Sequence, residues 1–142
     1  MLTLSIVTPA KKIVADIKVD DLFVPANRGE LNILPGHASL MSTLATGVLR
    51  YKPAGATSFE QVAISWGYLE VTKDNVVVLA ETAEAATEID LERAKLARDK
   101  AEKALFSADL DHSQFKKYQL KLERAMIRLQ VASRPGASDT EH

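Results

Sequence analysis

Apolar residues recur at every second position in the first part of the chain and at every third or fourth in the last. The N-terminal LTLSIV alternates, and in IVADIKVDDLFVPA the residues Ile13, Ala15, Ile17 and Val19 share one side of an extended backbone. VAISWGYLEVT and NVVVLAE are rich in β-branched and aromatic residues, which suit a pleated, half-buried surface. Pro9, Asn27-Arg28-Gly29, Pro35-Gly36, Pro53-Ala54-Gly55, Gly67 and Lys73-Asp74-Asn75 punctuate these runs. Short strands with turn signals roughly every eight to twelve residues predict an antiparallel β-sandwich or barrel over residues 1–86.

From Thr87 the period changes. IDLERAKLARDKAEKALFSA is helical in composition, with Asp90 as its N-cap. Ala94, Ala97, Ala101, Ala104 and Ala108 form one stripe at alternating three- and four-residue steps. SADLD breaks the helix, and Asp111 with Gln114 makes a capping box that opens a second one. Phe115, Tyr118, Leu122, Ala125, Leu129 and Ala132 repeat along it. Two striped helices joined by a short loop predict an antiparallel α-helical hairpin over residues 87–134. RPGASDTEH, with residues 135–142 at its end, reads as a disordered tail. Alanines bury little area, so the hairpin draws its stability from docking and is suited to leaving one surface for another.

Charge and composition narrow the function. The net charge is −1 with 18 basic and 19 acidic residues, which gives no global basic field for nucleic acid. Cysteine is absent, which excludes disulfides and thiolate chemistry. No window approaches the ~20 apolar residues needed to cross a bilayer, and the N-terminus does not read as a signal peptide. Direct membrane insertion is therefore not expected. The second helix is locally basic: Lys116, Lys117, Lys121, Arg124, Arg128 and Arg134 face only Glu123. A solvated face explains such a bias, as does an acidic partner or an anionic ligand. Arg124 and Arg128, four apart, present two guanidinium forks on one face, an arrangement that suits phosphate oxygens.

Catalytic signals are missing. His37, His112 and His142 are far apart, and no phosphate loop, dinucleotide fingerprint or nucleophile elbow occurs. Asp20 and Asp21 are neighbours on an extended strand and point to opposite faces. The residues read bottom-up describe a β domain with a detachable basic hairpin, a binding or regulatory protein rather than an enzyme.

The stretch GELNILPGHASLMSTLATGVLR adds a family. Gly29, Leu31, Ile33, Leu34, Pro35, His37, Ala38, Leu40, Gly47 and Arg50 resemble the signature of the ε subunit of the bacterial F-type ATP synthase, with Ser39 where that family often has Pro. AISWGYLEV resembles its Gly-Gly strand pair, with Trp66 where Gly is common, and IDLERA resembles the start of its first C-terminal helix. The similarity runs from Leu2 to Ala132.

The resemblance implies a β-sandwich of about ten strands followed by the helical hairpin. It also implies a non-catalytic rotor subunit in the central stalk, linking γ to the ring of c subunits. The hairpin would inhibit ATP hydrolysis by extending into the catalytic head, where Lys116, Lys117, Lys121, Arg124 and Arg128 meet the α and β subunits. Arg28, Glu30 and His37 are expected against the c ring; alternatively, His37 only fixes its turn by a hydrogen bond. No cofactor is required, but regulatory MgATP is expected on the folded hairpin. Its residues would be Glu84, Asp90, Arg93, Ala94, Lys100, Arg124 and Arg128. Lys100 stands where ATP-binding members carry Arg, and a point charge binds phosphate less well than a planar fork. The plainer role for Asp90 is as a cap, with Arg93 pairing either with it or with helix two. A location on the cytoplasmic face of the bacterial inner membrane follows from the resemblance. Two other classes stay open: a stand-alone ATP-sensing module built on the hairpin, and a small enzyme with an unrecognised site in the β domain.

Overall fold

The computed structural model describes residues 1–36, 38–107 and 109–133. Seven strands come first: β1 (Leu2–Val7), β2 (Lys12–Ala26), β3 (Gly29–Asn32), β4 (Leu40–Leu44), β5 (Gly47–Pro53), β6 (Glu60–Thr72) and β7 (Asn75–Ala85). A 3-10 turn, Ala86–Glu88, leads into α1 (Leu91–Leu105) and α2 (His112–Ser133). This is the β-sandwich plus helical hairpin expected from the period change. His37, Ala108, Arg134 and residues 135–142, each assigned a role from sequence, lie outside the described residues.

Hydrogen bonding runs full circle. β1 pairs with β7, β7 with β6, β6 with β4 and β5, and both of these with β2, which returns to β1. Only the β1–β7 pair is parallel; the others are antiparallel. A sheet flattened on itself in this way leaves few open edges. The strands are fewer and longer than the ten implied because some of them serve both layers. β6 pairs with β5 through residues 60–64 and with β4 through residues 67–71. The switch falls at Trp66 (φ 58°) and Gly67 (φ 141°), the kind of bend by which one strand changes sheet.

The alternation expected in β2 does not hold throughout. Asp16 adopts φ 48°, and the β1–β2 register slips between Leu4/Ile17 and Ile6/Val14. A bulge inserts one residue and so reverses the side-chain parity beyond it. Val14 therefore turns inward and Ala15 outward, while Ile17, opposite Leu4 and before the slip, is 36% exposed. Ser5 and Asp16 hold the bulge by reciprocal hydrogen bonds, both 3.0 Å long. The core inside the sandwich comprises Leu2, Leu4, Ile6, Leu22, Leu49, Ile64, Leu69 and Val78 with their neighbours.

The helices fold back on the sheet. α1 starts at Asp90, whose Oδ1 accepts the Arg93 amide at 3.2 Å. The α2 capping box is present in both directions: Gln114 N–H to Asp111 Oδ1 at 2.7 Å, and Asp111 N–H to Gln114 Oε1 at 3.2 Å. Ala94 and Ala101 are the buried residues of α1, and they face α2. α2 carries a second face that the stripe reading missed. Arg124, Ile127 and Arg128 lie against Thr46, Ile64, Ser65, Thr82 and Glu84 of the sandwich. The hairpin is thus layered, with α2 between the sheet and α1.

Candidate functional site

Polar groups make the junction between hairpin and sheet. Arg124 Nε donates to Ser65 Oγ at 2.9 Å, and its Nη2 lies 3.8 Å from Glu81 Oε1. Ser65 Oγ also meets Thr46 Oγ1 at 3.2 Å, so this buried hydroxyl has two polar partners. One turn along α2, Arg128 Nε donates to Glu84 Oε1 at 2.5 Å. The register explains the second contact: Glu84 shares one face of β7 with Thr82, which pairs with Ser65, so the arginine one turn beyond Arg124 comes over Glu84. The contact is half exposed, so each pair contributes about 1 kcal/mol or less.

The linker is tied down separately. Glu88 Oε1 accepts the Ala85 amide at 3.0 Å, while its Oε2 meets Lys11 Nζ at 2.5 Å. The bond from Lys11, and next the bond from the Ala85 amide, hold the Glu88 carboxyl below its ordinary value of 4.5. A depressed carboxyl contributes stability that is present above the unfolded value and lost as pH falls through the folded one. The tether should therefore persist at neutral pH and release only in acid below 4.5. An NMR titration of the Glu88 carboxyl should give a midpoint under 4.5 that moves back toward it in Lys11→Met. The same midpoint in both proteins would remove Lys11 as the cause.

Two cavities adjoin the latch. The first, about 200 Å³, is lined by Glu84, Glu88, Ile89, Asp90, Arg93, Ala94, Ala97 and Arg128. The second, about 300 Å³, lies between the helices and is lined by Ala97, Lys100, Ala101, Tyr118, Lys121, Arg124, Ala125 and Arg128. Ala97 and Arg128 border both, so the cavities share a wall. Ala97 is exposed where its neighbours in the stripe, Ala94 and Ala101, are buried; this gap in the helix–helix contact opens the cleft. All seven residues expected for a nucleotide, from Glu84 to Arg128, line this pair of cavities. Asp90 also acts as the cap, and Arg93 is one of the residues lining the first cavity.

The other expected clusters are more dispersed. Arg28 and Glu30 are exposed at the β2–β3 hairpin. Glu30 is not free: Arg50 Nη2 reaches its Oε2 at 3.4 Å. The Arg50 guanidinium also stacks over Phe23 at 4.4 Å and Phe59 at 5.4 Å. The turn before His37 is anchored from outside the signature, since the Gly36 amide donates to Asp74 Oδ1 at 2.9 Å. Lys116 and Lys117 are exposed, whereas Lys121 borders the second cavity, its Nζ 5.6 Å from the Tyr118 ring. No cluster of metal-ligating side chains occurs among the described residues.

Sequence reading missed one surface. Met41 on β4, Trp66 and Tyr68 on β6, and Leu79 on β7 are each 41–67% exposed. Tyr68 pairs with Leu79 on one side and with Thr43 on the other, and Met41 pairs with Glu70. Odd-even alternation of exposed and buried residues in β6 and β4 was its signal, but a partly exposed outer face looks the same in any sandwich.

Family models match the entire described chain. Residues 1–86 match the ATP synthase delta/epsilon chain β-sandwich domain, and residues 87–133 match the long α-helix domain of the same chain. The chain belongs to the ATP synthase delta/epsilon family. An ATP synthase epsilon chain of Geotalea daltonii is 46% identical over 135 residues, covering 95% of this chain and 96% of the relative. That of Geobacter metallireducens is 46% identical over 133 residues, with 94% of each covered. Among solved structures, a chain in the Euglena gracilis mitochondrial ATP synthase, OSCP/F1/c-ring in rotational state 1, superposes with a TM-score of 0.79 at 25% identity. It covers 93% of this chain and 81% of that one. A chain in the Tetrahymena thermophila mitochondrial ATP synthase central stalk and c-ring shares the fold, with a TM-score of 0.58 at 16% identity, covering 90% and 92%. For this delta/epsilon-family chain, the family supplies the ATP synthase as the assembly. No helix among its described residues is long and apolar enough to cross a membrane.

Proposed function

We propose that the chain is a non-catalytic rotor subunit of the central stalk that links γ to the c ring and restrains ATP hydrolysis through its hairpin. The observation that carries the regulatory half is the latch. The hairpin rests on the sheet through Arg124–Ser65/Glu81 and Arg128–Glu84, half-exposed polar contacts that water or another acidic surface can replace at small cost. An extended hairpin would present the freed arginines, with Lys116, Lys117 and Lys121, to the α and β subunits of the catalytic head.

The γ subunit is assigned to the apolar surface of Met41, Trp66, Tyr68 and Leu79. Trp66 supports this assignment. A bulky residue at φ 58° costs about 1–2 kcal/mol relative to glycine, yet the ring is 47% exposed and gains little core burial in return. The bend of β6 accounts for the backbone but does not require an indole there, and the exposed ring is better explained by a partner. Arg28, Glu30 and His37 are assigned to the polar loops of the c ring, with Arg50 holding Glu30 in place. The subunit would then sit at the cytoplasmic face of the bacterial inner membrane, peripheral through its complex.

MgATP is proposed as a regulatory ligand of the two adjoining cavities, where it would favour the folded hairpin and relieve inhibition. The same cavities also favour a second reading, a stand-alone ATP-sensing module, which predicts no stable complex with γ.

One reconstitution separates these readings. A cognate ATP synthase lacking this subunit should regain coupling of hydrolysis to proton pumping with either the full chain or a version ending at Ala86. Only the full chain should suppress hydrolysis, and Glu30→Ala in the short version should weaken coupling. Suppression by both versions would remove the hairpin as the inhibitor. Failure of both to bind would favour the stand-alone module.

A further inference from the structure

Three carboxylates follow one another from the end of β7 into the linker, and each meets a cation. The cations come from different parts of the fold. Glu81 and Glu84 are held by Arg124 and Arg128 of α2, which move when the hairpin moves. Glu88 is held by Lys11, from the turn between β1 and β2, which stays with the sandwich. The linker therefore has its own tie to the β domain, separate from the latch.

Both ends of this tie are braced. The Thr8 amide and hydroxyl donate to the Lys11 carbonyl at 2.9 and 3.1 Å, and Thr8 Oγ1 accepts the Ala10 and Lys11 amides at 3.3 and 3.2 Å. A hydroxyl folded back in this way stiffens a turn, and here it fixes the backbone from which Lys11 reaches out. On the other side Glu88 spans its own turn: Oε1 takes the Ala85 amide at 3.0 Å, and Oε2 takes Lys11. The Ile89 amide closes that turn on the Ala86 carbonyl at 3.4 Å. Ala85 is still paired with Val62 of β6, so residues 85–88 are bonded to the β domain at β6 and at Lys11. From Asp90 onward the bonds belong to α1: its Oδ1 and carbonyl accept the Arg93 and Ala94 amides at 3.2 and 3.0 Å. Ile89 stands between the two groups, extended at φ −84° and ψ 127°. Its φ and ψ are the first torsions that neither the turn nor the cap spans.

We infer that the hairpin pivots at Ile89 and that the Lys11–Glu88 clasp is the device that places the pivot there, which rests on the reading that the hairpin leaves the sheet. Hinges are commonly a few element-terminal residues that absorb the change in φ and ψ, and Ile89 meets that description. With the clasp closed, residues 86–88 stay on the sandwich while the helices swing. With it open, these residues join the moving segment and the pivot retreats to the end of β7. Three more free residues lengthen the reach of the linker by about 10 Å. Lys11 is thus a positioning residue for the hairpin, although it lies at the opposite end of the sequence.

Backbone 15N relaxation of the full chain tests this. Arg124→Gln with Arg128→Gln loosens the hairpin without setting a new carboxylate in the crevice that Arg128 shares with Lys11. Lys11→Met is then added; its side chain is 57% exposed, so the sandwich should survive, and the amide spectrum of β1–β7 checks that it does. In the arginine variant the helices should tumble apart from the sandwich. Residues 86–88 should keep order parameters of about 0.85, with the fall toward about 0.6 starting at Ile89. Adding Lys11→Met should move the start of that fall back to Ala86. Glu88→Gln, which removes the charge but keeps an acceptor for the Ala85 amide, should shift it in the same direction. If order is already lost at Ala86 with the clasp intact, or is still held through Glu88 in both clasp variants, the clasp does not place the pivot and the inference falls alone. If the helices of the arginine variant still tumble with the sandwich, the latch does not govern release; the hairpin reading falls and takes the pivot with it.

Discussion

Gly67→Ala should destabilise the sandwich by about 3 kcal/mol or more, a large share of the stability of a chain of this size. A Cβ at this position would lie 1.9 Å from the Leu79 carbonyl oxygen and 2.8 Å from Ala80 Cα. Both are backbone atoms of the paired strand β7, so no side-chain rotation relieves the overlap. The backbone adds to the cost, since φ is 141°, a region that residues with a Cβ rarely enter. Relief would require β6 and β7 to part where β6 changes partners, beside the buried Leu69 and Ala80. Gly55→Ala is the matched control. Its φ is 80°, but nothing lies within 4 Å of the added carbon, so only left-handed strain of about 1 kcal/mol remains. Urea unfolding of the two variants and the unaltered chain measures the difference. Equal midpoints for Gly67→Ala and Gly55→Ala would show that the strand pair yields without cost. The same substitution should disturb the surface around Trp66 and Tyr68, so on the proposed assignment of γ to that surface any soluble variant is expected to bind γ poorly.

Arg128→Glu should release the hairpin from the sheet. The change removes the donor to Glu84 and sets two carboxylates where Nε and Oε1 now meet at 2.5 Å. Losing the pair costs about 1 kcal/mol, and like charges at contact distance add a comparable penalty. The total, about 2 kcal/mol, is large against what else holds α2 down: Arg124 with Ser65 and Glu81, and the apolar contacts of Ile127 and Val131. Because α1 packs mainly on α2, it should leave with it. Amide hydrogen exchange across residues 112–133 should quicken severalfold while β1–β7 keep their protection. The reciprocal exchange, Arg128→Glu with Glu84→Arg, restores opposite charges and should recover most of the protection. If it does not, the arginine acts by packing rather than by charge.

Several parts of this molecule were legible before any coordinate. The switch of hydrophobic period near residue 87 depends only on local geometry, two residues per repeat in a strand against three or four in a helix, and it separates the sandwich from the hairpin. The Asp90 and Asp111 caps are likewise local, since a carboxylate needs only the amide three residues on. The long signature from Gly29 to Arg50 identified the family, and the seven residues from Glu84 to Arg128 do gather around one cleft. What stayed hidden depends on pairs distant in sequence. The bulge at Asp16 is set by Ser5 and the slipped β1–β2 register, so alternation in β2 alone placed Ala15 rather than Val14 on the core side. The role of Arg50 is visible only once β5 brings it over Phe23, Phe59 and Glu30. The second face of α2 carries too few apolar residues to stand out, because the sheet receives it largely through arginines. Periodicity reports what an element repeats along itself; which surface it meets, and which charges remain free for a ligand, is decided by residues tens of positions away.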